Sequence, residues 1–335
     1  MPITKHIPLI FFCLLVNTIA GISQSDSGKI RESQHFAFYS DYWINLHHFL
    51  FQLAKGDQQK HLQDDGNALV DIGDDRKIHL LSNDDTYVLL NAVKYYRDNL
   101  ITKSLLFHLD DMRLWLQQQV ADQPITDTAY SVAFTQILND FAPVYSRHFW
   151  ENHDAHNQKI LNEYFETILD LEAPLTARLG KLAGMEWPDT IFRVDLTAYA
   201  NWAGAYTQEY PTINVFISTL DPLSDDPAFV ETVFHEGSHI IFSRESAFRS
   251  RIYHMSKEME IDFPKHLWHA SQFYLCGTLV QDGLEEKGEP YVLIMDRKQV
   301  FTELNSPAFR ELLDAYIQGN VDMEKTIHAL LLNLE

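Results

Sequence analysis

The chain has 335 residues, 46% of them hydrophobic and 22% charged, a balance that supports a sizeable buried core and excludes a disordered polymer. A formal net charge of -21 repels phosphate backbones and anionic membranes, which argues against nucleic acid as a partner. Cys13 and Cys276 are the only cysteines, too few for a disulfide-stapled architecture.

Lys5 and His6 precede an apolar run over 7–16, and small or polar residues follow over 17–23. That is the pattern of a cleavable export signal, with cleavage expected after Ala20 or Ser23. The run is short against the ~20 residues of a spanning helix, so no stable membrane anchor is expected. Removal of the signal takes Cys13 with it and places the mature protein in a periplasm or outside the cell.

Residues 41–54 carry apolar side chains at helical spacing and read as an amphipathic helix ended by Gly56. Residues 85–97 and 103–119 read as two more. A longer pattern over 152–182 sets Ile160, Leu161, Phe165, Ile168 and Leu169 on one side, with Pro174 as a kink or break. The period changes after Trp187 and Pro188. Phe192, Val194, Leu196 and Ala198 alternate with Arg193, Asp195 and Thr197, as in a half-buried strand. Residues 201–207 suit a loop or short strand, and Ile213, Val215 and Ile217 alternate again. Helical patterns resume from Pro227, over 264–281, and near 310–318 and 323–334. The expected fold is α+β, predominantly helical with a small sheet beside the helix after Pro227. The expected division is a signal over 1–23, a helical lobe over 24–184 and a catalytic region over 185–335.

Within that helix lies the run TVFHEGSHIIF, residues 232–242. His235 and His239, four apart, project from one helix face, and Glu236 stands beside the first. This is an H-E-x-x-H arrangement: two neutral nitrogens to hold a zinc ion and a carboxylate to take a proton from water. Val230, Val233, Phe234, Ile240 and Ile241 make the surroundings apolar, and buried imidazoles need polar partners or a metal.

On His235, Glu236 and His239, preceded by the strand-like stretch 213–219, the C-terminal half resembles the zincin metallopeptidases. The resemblance implies a zinc-dependent hydrolase acting on a peptide or amide substrate, with a strand over 213–219 or the segment 203–206 pairing with extended substrate. A catalytically silent zincin-like module with structural zinc is the alternative. The chain departs from the named subgroups at the third ligand. Phe242 and Glu245 stand where the metzincin pattern has glycine and histidine, and no gluzincin-like setting surrounds Glu258, Glu260, Glu285 or Glu286. His269, between Trp268 and Phe273 in the most apolar part of the 264–281 helix, is the expected third ligand. His266 is the runner-up, Glu260 and Glu245 are acidic substitutes, and His47 and His48 are weaker candidates. Tyr274 is expected, by the resemblance, to hydrogen-bond a developing oxyanion.

Overall fold

The computed structural model describes residues 28–60, 70–103, 105, 109–200, 204–222, 224 and 226–333; the expected signal over 1–23 lies outside these residues. Five strands, β1 Lys29–Glu32, β2 Phe36–Tyr39, β3 Phe192–Thr197, β4 Ala205–Gln208 and β5 Asn214–Ser218, form one mixed sheet. Their order is β1-β2-β3-β5-β4, with β2, β3 and β5 parallel and the two outer strands antiparallel to their neighbours.

Helices cover both faces. Ahead of β3 come α1 Tyr42–Lys60, α2 Ile72–His79, α3 Asn83–Asn99, α4 Asp110–Leu116 and α5 Val132–Tyr145, then a π-helical turn, Ser146–Trp150, leading into α6 Glu151–Ala183. After the sheet come α7 Ala228–Ser238, α8 Ala247–Glu258, α9 Leu267–Glu286, α10 Ile294–Arg297, α11 Pro307–Ile317 and α12 Met323–Leu332. The molecule is therefore α+β and mainly helical. None of the described helices is long and apolar enough to cross a membrane.

The strand period of two sorts the sheet's side chains between two cores. Phe36, Phe38, Phe192, Val194, Leu196, Val215 and Ile217 enter the core shared with α6, α7, α8, α9, α11 and α12. Tyr206 and Phe216 enter the second core, with α1, α3, α4 and α5. Strands from both sides of Gly184 share the sheet, and α6 packs in the core of the later helices, so the expected boundary at 184 does not separate two cores.

β3 also differs from expectation. Arg193, Asp195 and Thr197 were expected to face water, yet each is fully buried. They are buried because they are paired. Arg193 Nε donates to Asp195 Oδ2 at 2.9 Å, its Nη2 to Asp41 Oδ2 at 3.1 Å, and Gln117 Nε2 donates to Asp195 Oδ2 at 2.9 Å. Asp41 Oδ1 in turn accepts from the Trp43 and Ile44 backbone amides at the start of α1. Burial pushes the Asp41 carboxyl up to about 6, against the opposing pull of Arg193.

Four helical expectations need correction. Gly56 does not end α1, which continues to Lys60, because a lone glycine costs a helix only about 1 kcal/mol. Among the described residues of 103–119 only α4 is an α-helix; it begins at Asp110 and Asp111, which complement the positive end of the helix dipole. Pro174 leaves α6 unbroken, lying on its exposed face where the carbonyl deprived of a partner reaches water. Between the motif and the 264–281 pattern, where no separate helix was expected, lies α8, which buries Phe248, Ile252 and Met255 at spacings of four and three.

Replacing Arg193 with Met leaves Asp41 and Asp195 buried without their counter-charge. Chemical denaturation at neutral pH is expected to show a loss of about 3–5 kcal/mol. Asp41 binds a proton more readily folded than unfolded, so this deficit should shrink as pH falls from neutral towards about 4.

Candidate metal centre

α7 lies on the sheet at the β4 side, and close approach is possible because position 237 has no side chain. A Cβ there would lie 2.9 Å from the Phe36 ring. His235 is in the last turn of α7, and His239 follows as its cap residue with φ -52° and ψ -34°, still helical, which keeps the two rings on one face. Their centroids are 5.0 Å apart.

α9 crosses α7 and supplies the third imidazole from its first turn. His269 Nε2 is 3.4 Å from His235 Nε2, and its ring centroid is 4.9 Å from that of His239. One nitrogen from each of the three rings falls within 4.8 Å of the others, a group that could hold a metal ion. Gln272, one turn beyond His269, fastens the helices: its Nε2 donates to the His235 carbonyl at 3.0 Å and to Ser238 Oγ at 2.9 Å. Trp268 stacks on His269, Phe301 meets its edge, and Phe273 lies 3.7 Å from the His235 centroid.

This apolar collar sets the protonation of the cluster. Burial holds His235 and His239 well below the usual histidine range and brings His269 down to about 4, and the neighbouring charges push the same way. The rings are therefore neutral at neutral pH, the state in which imidazole ligates a metal. The buried Nδ1 of His235 has no hydrogen-bond partner, and two neutral Nε2 atoms facing each other at 3.4 Å gain at most one poor hydrogen bond. A bound cation would turn that unfavourable arrangement into ligation. The donor set fits a divalent metal with a preference for imidazole nitrogen.

Glu236 is buried beside the cluster. Thr207 Oγ1, on β4, donates to both its carboxylate Oε2 at 2.6 Å and its backbone carbonyl at 2.8 Å. Burial raises the carboxyl to about 7, with Thr207 and Lys298 opposing the rise.

Other expected site residues lie elsewhere. Tyr274 follows His269 by five residues, about 140° round the helix. Its hydroxyl donates to Asp314 Oδ1 on α11 at 2.8 Å, and its ring packs on Phe309, so it is not placed to meet an oxyanion at the cluster. His266 is exposed at the start of α9. Glu245 and Glu260 are exposed outside the group of three; Ser243 donates to Glu245, and Glu260 takes a left-handed conformation after α8. His47 and His48 are buried on the opposite face of the sheet, bonded to Tyr96 and Tyr206. Of the two segments expected to meet substrate, β5 is paired on both sides, whereas β4 is the sheet's edge and touches Glu236. Thr207 and Gln272 were not foreseen. The alternation Tyr206, Thr207, Gln208 carried the first signal, since it sends Thr207 to the α7 side.

No family model matches this chain, and no curated protein or solved structure matches it either.

Titration of the metal-free protein with zinc is expected to saturate at one equivalent. His269→Ala should weaken binding by about a hundredfold or more, and His266→Ala should leave it within about threefold. Because burial lowers the ligand pKa values, fewer protons compete as pH falls. Occupancy at saturating zinc should persist below pH 6.5, and release beginning above that pH would contradict the buried, neutral cluster.

Proposed function

We propose that the chain is an exported zinc-dependent hydrolase of zincin type, a metallopeptidase acting on peptide or amide substrates. The observation that carries this reading is the convergence of His269 on His235 and His239 with the Glu236 carboxyl beside them. Three imidazoles and one open position are a common catalytic zinc shell. Zinc, when bound, supplies Lewis-acid polarisation of a carbonyl and of a water molecule.

The chain's own residues supply the rest. Glu236 takes the proton of the attacking water and passes it to the leaving amine, a role suited to a carboxyl whose burial raises its proton affinity. Thr207 holds that carboxyl from the sheet edge. Among the described residues β4 is an outer strand of the sheet beside the site, along which an extended peptide can add as a further strand. Export follows from Lys5, His6 and the apolar run over 7–16.

A silent module with structural zinc would need a fourth protein ligand. Among the described residues only the three histidines form such a group, which favours the hydrolytic reading.

Glu236→Gln preserves shape but cannot accept the proton. It is expected to retain one zinc while lowering turnover of peptides cleaved by the wild type by about 10²–10⁴-fold. Unchanged turnover in that variant would remove Glu236 from the base role, and absence of any hydrolysis by the zinc-loaded wild type across a diverse peptide library would count against the peptidase reading.

A further inference from the structure

Arg249 stands in the first turn of α8, with its guanidinium carbon 3.9 Å from the centroid of the Trp268 ring. The same indole stacks on His269, centroids 5.0 Å apart, and meets His239 nearly edge-on at 6.0 Å. One aromatic plate thus joins a fixed cation to two of the three clustered imidazoles. Arg249 is half-buried, and its charge opposes protonation of both His239 and His269.

Its partners are the unusual part. Arg251, on the same helix, forms ion pairs with Glu258 and Glu324, as expected in a chain of net charge -21. Arg249 forms none among the described residues. The carboxylates that influence it, Glu209 and Glu245, act without a hydrogen bond to it, and the neighbouring Arg244 adds a second positive charge. Five N–H donors in a fixed plane, partly desolvated and without a bidentate acceptor, make a receptor for a carboxylate.

We propose that Arg249 binds a carboxylate of the substrate, and that the hydrolase takes peptides or amides bearing a carboxylate close to the scissile bond. This rests on the hydrolase reading above and adds the substrate class. Stacking on Trp268 holds the guanidinium plane, so little side-chain freedom is lost when the carboxylate docks. With the guanidinium 3.9 Å and the His269 ring 5.0 Å from the Trp268 ring, two or three residues of extended chain, at about 3.4 Å each, can span the gap. The carboxylate is either a free C-terminus or an acidic side chain, two sources with one chemistry.

Thiol-terminated dipeptides separate these cases without requiring turnover. Mercaptoacetyl-Ala-Ala as the free acid, its C-terminal amide, and mercaptoacetyl-Ala-Glu-amide are titrated into the zinc-loaded full chain by calorimetry. At least one carboxylate-bearing probe should bind about tenfold or more tighter than the neutral amide, and which one does so identifies the source. Arg249→Met keeps the packing on Trp268; it should bring all three probes to within about twofold of one another. Arg249→Lys should restore part of the preference. Equal binding of the three probes by the wild type, or a preference that survives in Arg249→Met, overturns the assignment while leaving the metal centre intact. If zinc-loaded protein binds none of the thiols, the metal-centre reading itself fails and the inference falls with it.

Discussion

A side chain at Gly277 would place its Cβ 2.8 Å from Glu231 Oε1, so α9 can lie where it does on α7 only because that position carries none. The contact has consequences at both ends. Near Gly277, the buried Glu231 carboxylate accepts from Tyr291 and from the Ile294 amide, fixing the segment that leads to α10. Near the start of α9, Gln272 caps the last turn of α7 and His269 arrives over His235. Two hydrogen bonds from one amide, each worth about 0.5–1.5 kcal/mol net, weigh less than the apolar burial around them. Their effect is on register: a rotation of α9 that removed His269 from the cluster would also break both Gln272 bonds, leaving the His235 carbonyl only the donation from Ser238 Oγ.

The sheet stands between this arrangement and the buried ions around Arg193. Its first face is apolar wherever it supports α7, apart from Thr207, which is spent on Glu236. Arg193, Asp195 and Asp41 are gathered on the opposite face, where α1 and α4 close over them. Ions so placed lie across the sheet from the histidines. The protonation of the cluster is then governed by its own burial and by Arg249 on the near side. That separation suits the proposed centre, whose imidazoles would have to stay neutral to hold a metal.

Much of the near side was legible in the sequence, for reasons of period. His235 and His239 four apart predict one helix face, and the apolar neighbours predict its burial. His269 was legible because a histidine amid Trp268 and Phe273 lacks a polar partner unless another element brings one. Tyr274 shows the limit of that reasoning: residue type suggested a donor, but five positions along a helix point it towards Asp314. Arg193 and Asp195 show another. Alternation marks two faces of a strand, yet it cannot say that the polar face is also covered, since that depends on Asp41 and Gln117 arriving from distant positions. Nor could alternation show that β2, far from β3 in sequence, lies beside it in a parallel register running from Phe36 with Phe192 to Tyr39 with Asp195. Arg249 lies in a stretch where no separate helix was expected, although Phe248, Ile252 and Met255 carry a helical period.

The central claim is that three imidazoles from α7 and α9 enclose one zinc ion. X-ray absorption at the zinc edge, on protein carrying one equivalent, reads that shell directly. The account predicts three nitrogen scatterers at about 2.0–2.1 Å, the outer-shell signature of three imidazole rings, and one further light ligand. A shell of oxygens alone, or one with fewer than three imidazoles, would contradict it.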